Sequence, residues 1–292
     1  FTEVYFTQDN DTLGTTLNRA FIQLGGLTFG RTQSFFDFLD GAPGATGQFI
    51  NVGYSDTTLN LAAYTFAFGN GFSASISIED QTARAGSILY GGLQGVVPNR
   101  FVAARDAAVG DGSYWPDLVV ALRVDQAWGS AQLSGALHTV RGNGFAPDTE
   151  LGYAVRAGFV ADVPIGTATP VGLQAAFGYG ATSYVANNAI GGFILQPAFA
   201  APLRPGFGVN YGAADATVTG PGRELSLVTA ASVAGGFATA ITPTVSYSLN
   251  VGGTYIDKPD YAVYNDSAIA APGLCAPGAL CVERDPGDAL NL

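Results

Sequence analysis

The chain has 292 residues, of which 48% are hydrophobic and only 12% are charged, and its formal net charge is −11. This acidic balance argues against nucleic acid as a partner, because phosphates are bound by basic surfaces. No apolar run approaches the ~20 residues that a membrane-spanning helix requires, so the composition leaves two classes open, a soluble all-β domain and a β-barrel that faces lipid.

Two-residue alternation of apolar side chains with small or polar ones is the clearest pattern, and it predicts strands with two different faces. In the stretch DLVVALRV, for example, Leu118, Val120, Leu122 and Val124 share one face. The opposite face of such stretches is mainly Gly, Ala, Ser, Thr and Asn, with an occasional Arg or Asp. In chain order we predict eleven strands, over residues 1–8, 16–24, 27–33, 57–68, 71–80, 117–127, 130–140, 149–163, 170–182, 224–235 and 240–256.

The connections between these strands alternate between short turns and long loops. Short turns are predicted at residues 25–26, 69–71, 128–129, 164–169 and 236–239. Long loops are predicted at residues 9–15, 34–56, 81–116, 141–148, 183–223 and 257–288. Short connections on one rim and long ones on the other are typical of outer-membrane barrels. A soluble sheet would instead carry polar and charged side chains along its solvent face.

Together these patterns predict an all-β fold, a transmembrane antiparallel β-barrel whose small-residue face surrounds an aqueous lumen. Single-chain bacterial barrels have an even number of strands, and an open barrel would leave backbone groups unsatisfied in hydrocarbon. We therefore expect the eleven strands to belong to a larger barrel, truncated at both ends, with GDALNL at residues 287–292 beginning a twelfth strand.

Four stretches of the chain, together with a loop that holds two cysteines, resemble the alphaproteobacterial outer-membrane porin family. The stretches are NRAFIQLGGLTFGRTQSFFDF (18–38), FAFGNGFSASISIED (66–80), PDLVVALRVDQAWGSAQLSGALH (116–138) and LQAAFGYGATSY (173–184). The resemblance implies a sixteen-stranded general-diffusion porin of the bacterial outer membrane, assembled as a homotrimer. Residues 1–292 would form one barrel domain that carries strands three to thirteen and the start of strand fourteen.

The resemblance further implies passive diffusion of small hydrophilic solutes and ions, with outer-membrane lipid and lipopolysaccharide around the protein and no cofactor. Substrate-specific uptake, and an adhesive or binding role of the long external loops, stay open as alternatives. We expect no enzyme. The sole histidine, His138, and Ser134 share a strand face, but a strand rises about 3.3 Å per residue, so they cannot meet directly. A partner for His138 on another strand stays open; otherwise we expect it to be satisfied or solvated.

The resemblance makes residues 34–56 the third external loop, folded into the channel. Ser34 and Asp37 have the spacing of a capping box, which starts a helical turn. Phe35, Phe36 and Phe38 would bury apolar area against the inner wall at roughly 25 cal/mol per Å², and this burial would anchor the loop. The alternative is an outward loop whose phenylalanines touch a neighbouring subunit.

Charges on the loop and on the wall predict a field across the narrow part of such a channel. We expect Asp37, Asp40 or Asp56 to face the passage from the loop. Four arginines have the parity of the lumen face: Arg19, Arg31, Arg123 and Arg156. Each of them has a plainer interpretation, which is pairing with a neighbouring carboxylate such as Asp125. We expect three further arginines to contact acids of their own loop or anionic lipid: Arg84, Arg100 and Arg105.

The two cysteines of the chain, Cys275 and Cys281, enclose five residues in CAPGALC. Either they are two unrelated thiols or they close a small disulfide loop, which would indicate an oxidising compartment. No third or fourth ligand is nearby in the sequence, so we expect no zinc or other metal site.

Overall fold

Extended strands make up nearly all of the regular structure. The computed structural model describes residues 1–9, 12–39, 56–89, 91–93, 103–104, 115–142, 146–164, 169–185, 214–242, 245–259, 261–264, 280–284 and 289–291. Within these ranges the helical segments are two 3₁₀ turns, at Gln81–Ala83 and Thr182–Tyr184. None of the helices in this part of the chain is long and apolar enough to cross a membrane.

The described residues form nineteen strands. In chain order they are β1 (Thr2–Asp9), β2 (Thr12–Leu24), β3 (Leu27–Gln33), β4 (Thr58–Gly69), β5 (Phe72–Glu79), β6 (Ser87–Leu89), β7 (Gly91–Leu93), β8 (Ala103–Ala104), β9 (Asp117–Gln126), β10 (Gly129–Arg141), β11 (Thr149–Val163), β12 (Thr169–Tyr179), β13 (Ala214–Thr219), β14 (Glu224–Leu227), β15 (Thr229–Thr242), β16 (Val245–Asp257), β17 (Tyr261–Tyr264), β18 (Leu280–Arg284) and β19 (Ala289–Asn291).

Twelve strands form one large antiparallel sheet in the order β1-β2-β3-β4-β5-β9-β10-β11-β12-β15-β16-β19. Each strand of this sheet pairs with the one that precedes it in the sheet order, so the sheet is an up-and-down meander. The short strand β19 pairs with β16 at its far edge. Among the described residues the sheet is not closed, since β1 and β19 are its two edges.

The two faces of the large sheet differ in how far their apolar side chains are exposed, as β9 shows. Val119 and Ala121 are buried, whereas Leu118, Val120 and Leu122 are 39%, 48% and 57% exposed. The exposed apolar positions continue in register onto the neighbouring strands, where Leu122 lies opposite Leu133. Water-soluble monomers rarely expose contiguous apolar surface on this scale. The outer face therefore suits contact with acyl chains, and the face with smaller side chains is the inner one.

Parts of two predicted long loops, 81–116 and 183–223, form strands that lie on the inner face. β13 pairs with β14 in antiparallel and with β6 in parallel orientation. This small sheet buries Ile88, Val218 and Leu227 against Val140 of β10. Another small sheet has the order β18-β17-β7-β8 and includes parts of the predicted loop 257–288. Period-two patterning is weak in such short segments, which is why the sequence predicts only loops here.

The predicted turn at residues 236–239 is wrong, because these residues continue β15. Gly236 pairs with Gly172 of β12, and the next residues pair with β16. A side chain at Gly235 would approach the Gly172 carbonyl oxygen to 3.0 Å, so glycine here permits close strand packing. The first four residues of the predicted strand 224–235 form β14, which lies outside the large sheet. The predicted loop 9–15 is also wrong in its bounds, because β2 already begins at Thr12.

Candidate functional site

The segment that follows β3 lies on the inner face of the large sheet. Phe36 is fully buried and packs with Val119, Ala136 and Ala154 of three neighbouring wall strands and with Tyr184. The Phe36 ring meets the Tyr184 ring edge-on, with 4.8 Å between centroids. Small wall residues thus make room for a large side chain of the loop.

Side chains of the wall also bind the backbone of this segment. Gln132 Nε2 donates to the carbonyl oxygens of Phe35, Phe36 and Asp37 at 3.1, 3.4 and 3.3 Å. Ser134 Oγ donates to the Phe36 carbonyl oxygen at 2.8 Å. These bonds replace the strand pairing that the segment has given up, so residues 35–37 can be buried without unsatisfied carbonyl groups.

The next residues continue across the wall. Leu39 is held by both ends of one amide: its N–H donates to Gln174 Oε1 and its carbonyl accepts from Gln174 Nε2, each at 3.3 Å. Phe38 lies above Gly158, and the guanidinium carbon of Arg123 is 5.4 Å from the Phe38 ring centroid. The predicted anchor phenylalanines therefore pack on the inner wall over the described part of the loop, residues 34–39.

The start of the loop is fixed by a buried carboxylate of the wall. Ser34 Oγ donates to Glu79 Oε2 at 2.6 Å, and Phe35 N donates to Glu79 Oε1 at 3.0 Å. The Ser34 hydroxyl accepts from Phe36 N at 3.2 Å, which makes a single turn. Asp37 N also donates to the Ser34 carbonyl oxygen at 3.2 Å, so one turn begins at Ser34. The capping box is not completed, because the Asp37 carboxylate accepts from Thr57 N at 2.8 Å and not from Ser34 N.

Asp37 is buried together with two arginines. Its Oδ1 accepts from Arg84 Nη2 at 2.8 Å and lies 3.7 Å from Arg156 Nη1, and all three side chains are almost completely buried. The structure thus places Asp37 and Arg156 under the loop, whereas the sequence predicted them to face the passage. The prediction for Arg84 is also wrong, since its partner belongs to another loop.

Arg84 is a charged group held in an apolar and aromatic surrounding. Its guanidinium carbon is 4.4 Å from the Tyr184 ring centroid, and its Nη1 donates to the Ser183 carbonyl oxygen at 3.0 Å. Burial lowers the pKa of Arg84, but the charge of Asp37 and its hydrogen bond to Arg84 raise it more, so its pKa lies above the ordinary value. The residue therefore remains a cation that holds Asp37 in place.

A second buried network lies beside the first and includes the sole histidine. His138 Nδ1 is 2.9 Å from Asp117 Oδ2, and its Nε2 is 3.4 Å from Asp215 Oδ2. Asp215 Oδ1 accepts from Thr182 N at 2.7 Å and from its hydroxyl at 2.8 Å. Carboxylates at both ring nitrogens suit a doubly protonated imidazolium that links β9 and β10 to the folded-back segment β13.

Tyr184 connects the two networks. Its hydroxyl donates to Asp117 Oδ2 at 2.5 Å, while its ring contacts Phe36 and Arg84. Burial, followed by the nearby Asp117, raises the pKa of Tyr184 well above its ordinary value. The phenol is therefore neutral and acts as a donor.

The remaining predicted site residues are spread over the sheet. Arg123 and Asp125 form an exposed ion pair with Nη2 and Oδ1 2.9 Å apart, as the plainer interpretation had it. Arg19 Nε is 3.9 Å from Glu3 Oε2, Arg31 is half-buried on β3, and Asp56 is exposed. Predictions at five other positions lie outside the residues or side chains that the structure describes: Asp40, Arg100, Arg105, Cys275 and Cys281.

Sequence reasoning missed the buried partners Glu79, Arg84, Asp117, Tyr184 and Asp215. Each lies at a strand end or in a segment beside one, where the chain reaches the same rim of the sheet. Their position near strand ends is the signal that the sequence offers, but it does not show which strand end contacts which segment. Ser134 donates to the loop backbone and His138 contacts carboxylates, so these two residues make no Ser-His pair. In the described ranges no cluster of three His, Cys, Asp or Glu side chains forms a metal site.

Comparison with known proteins identifies the family. A family profile described as Porin subfamily matches residues 1–268. The chain belongs to this porin family. The predicted family is confirmed, and with it the predicted location in the bacterial outer membrane.

Two curated relatives and one solved structure are similar to this porin. Porin Omp2b of Brucella suis biovar 1 (strain 1330) is 34% identical over 117 residues, which are 40% of this chain and 28% of the relative. Porin Omp2b of Brucella suis is 35% identical over 130 residues, 43% of this chain and 32% of the relative. The alignments thus span about a third of the relatives' length.

The fold resembles the crystal structure of the outer membrane channel DcaP of Acinetobacter baumannii. The TM-score is 0.61 at 17% sequence identity, over 88% of this chain and 61% of that chain. The predicted all-β, antiparallel fold of the outer-membrane channel type is confirmed.

Proposed function

We propose that the full-length protein forms a water-filled channel in the bacterial outer membrane, through which small hydrophilic solutes and ions diffuse passively. The full-length protein would be a homotrimer, as the family resemblance implies, with outer-membrane lipid and lipopolysaccharide around it. In this proposal the chain acts through the shape and the charges of its wall and its inward loop. It would catalyse no reaction and so would not be an enzyme.

One observation carries this proposal: a loop packed on the inner face of a sheet whose outer face is apolar and exposed. Phe36 is buried on the wall and Asp37 is held by Arg84, so the loop crosses the inner face instead of extending from the rim. A loop in that place would narrow the passage without filling it completely. An adhesin would instead need its loops to extend outward.

The charges that border the passage are, in this proposal, those that stay accessible. Among the predicted residues that the structure describes, these are Arg123 with Asp125, Arg31 and Asp56; Asp40 stays a prediction. Asp37 and Arg156 serve to hold the loop. Because Arg123 and Asp125 largely cancel each other, the described wall gives a weak field, and selectivity would depend on the rest of the loop. Reversal potentials in a salt gradient measure that balance.

Single-channel recording of the full-length protein in a planar lipid bilayer tests the proposal. A diffusion channel gives stable, ohmic conductance steps, and a trimer gives three equal closures. Conductance that saturates with one solute, and is blocked by it, would indicate substrate-specific uptake. A correctly folded protein that conducts no ions would contradict the channel and would favour a binding or adhesive role of the external loops.

Liposome swelling supplies the matching measurement on neutral solutes. We expect swelling rates that fall smoothly with the size of sugars and amino acids, because passage through an aqueous neck depends on size and not on recognition. Rates that single out one solute of a given size would contradict general diffusion while leaving the channel itself in place.

A further inference from the structure

Gly158 of β11 lies directly beneath the inward loop. A Cβ atom at this position would be 2.8 Å from Phe38 Cδ1 and 3.0 Å from Gln174 Cβ. Its backbone needs no left-handed conformation, so the requirement for glycine is one of space and not of backbone freedom. The missing side chain leaves a seat on the wall, and the ring of Phe38 occupies it.

The ring in this seat is confined from other directions as well. Arg123 lies over its face, with the guanidinium carbon 5.4 Å from the centroid, and Arg123 is itself held by Asp125 through three hydrogen bonds between 2.9 and 3.1 Å. Phe38 and Val160 pack against a cluster that contains Leu39. The seat therefore sets the height of Phe38 above the wall.

The backbone next to Phe38 is held at the same distance from the wall. Leu39 exchanges two hydrogen bonds with Gln174, which lies opposite Gly158 on β12. These bonds are already long at 3.3 Å, so lifting the ring from the wall would break them. Beyond these bonds, the loop contacts this part of the wall through the packing of Leu39 with Ala234.

We propose that Gly158 is a positioning residue that sets how far the inward loop stands from the wall, and thereby the bore of the channel. This inference rests on the proposed channel function. Non-bonded carbon atoms pack at about 3.5–4.0 Å, so any side chain at position 158 must move the Phe38 ring by about 1 Å or more. Arg123 covers the face of the ring and Val160 packs beside it, so we expect the ring to move away from the wall.

Conductance of full-length variants in planar bilayers tests this role. Gly158→Ala and Gly158→Val should reduce the unit conductance stepwise, with valine the stronger, while the number of closures stays the same. Gly135→Ala on β10 is the matched control, because a Cβ there would meet its nearest neighbour, Val120, at an ordinary 3.7 Å. This control should conduct like the wild type.

A substitution of Phe38 distinguishes the effect of its contact with Gly158 from general damage to β11. Phe38→Ala at native Gly158 should raise the unit conductance, because without the ring the loop can lie closer to the wall. In the Phe38→Ala/Gly158→Val double variant the valine meets no ring, so its conductance should match that of Phe38→Ala alone. Retained resistance to unfolding in detergent verifies that each variant is folded.

The outcomes distinguish this inference from the proposed function. If the wild type conducts but Gly158→Val and Phe38→Ala both conduct like it, the seat does not set the bore and the inference is overturned. If Gly158→Val does not fold, Phe38→Ala decides alone, and an unchanged conductance overturns it. A folded wild type that does not conduct overturns both proposals.

Discussion

Burial separates two kinds of ion pair on the inner face. Asp37 and Arg84 are paired at 2.8 Å with both side chains fully buried, whereas the Arg123–Asp125 pair is 42% and 54% exposed. Exposed pairs are screened by water and contribute little to stability. Removing one partner of a buried pair is costly, because it leaves an uncompensated charge in a medium of low dielectric. The first pair therefore holds the loop, and the second one stays accessible on the inner face.

Asp37→Asn should lower the free energy of unfolding by about 3 kcal/mol. Two buried guanidinium groups, those of Arg84 and Arg156, would lose their shared carboxylate. Urea unfolding in detergent, followed by tryptophan fluorescence, measures the loss. Asp125→Asn is the control, and it should cost no more than about 1 kcal/mol. Equal effects of the two substitutions would show that the Asp37 pair is not a buried anchor.

Because of Tyr184, the stability of the folded state depends on pH in the alkaline range. Its raised pKa means that the folded state keeps the phenol neutral above pH 10, while the unfolded state ionises near the ordinary value of about 10. Its contribution to stability is therefore complete below pH 10 and is lost as the pH rises above it.

Tyr184→Phe should remove the bond to Asp117, at a cost of about 2 kcal/mol near neutral pH, and with it this alkaline loss. The stabilities of wild type and variant should converge as the pH rises above 10. Tyr153→Phe on the outer face, which removes a phenol outside this network, is the control. Parallel profiles of wild type and Tyr184→Phe would contradict the buried, neutral phenol.

The phenylalanines of the loop can be recognised in the sequence, but its charged contacts cannot. The crowding of Phe35, Phe36 and Phe38 after a strand is visible in the chain, and apolar side chains must find an apolar surface. Asp37 has its partner 47 residues away, at Arg84. Parity along one strand gives the face on which a charge lies, but it carries no information about what folds over that face.

The strands themselves follow from alternation, and the main error concerns a glycine. Gly236 opens the predicted turn at residues 236–239, because glycine is the strongest local turn signal. In the structure it lies within β15, which pairs with β12 on one side and β16 on the other. Glycine within a strand also marks a close approach of neighbouring strands, and a single sequence does not tell these two uses apart.

Hydrogen exchange distinguishes the two interpretations. Amides of residues 236–239 should exchange as slowly as those of residues 230–235, because the same ladder to β16 protects both stretches. Peptide-resolved exchange of the folded protein in detergent measures this. Exchange of 236–239 at the rate of an open turn would contradict the observed end of β15.

The whole molecule is organised by what its two faces contact. The outer face was largely predictable, since apolar residues recur at alternate positions along strands such as β9 and β11. The inner face was predictable only in part: its small residues were assigned to a wet lumen, yet Ala136, Ala154 and Gly158 are covered by a loop. Small side chains permit either water or a packed segment, and the choice depends on long-range folding.

Quenching by brominated lipids tests most directly that one face meets acyl chains while the other meets water. The two native tryptophans, Trp115 and Trp128, are first replaced by phenylalanine. Single tryptophans are then placed at Leu122 on the outer face and at Ser73, which lies opposite Arg123 on the inner face. We expect strong quenching by brominated acyl chains at position 122 and little at 73, with the reverse order for aqueous iodide. Equal quenching at the two positions, or protection of position 122 from lipid, would contradict the membrane channel.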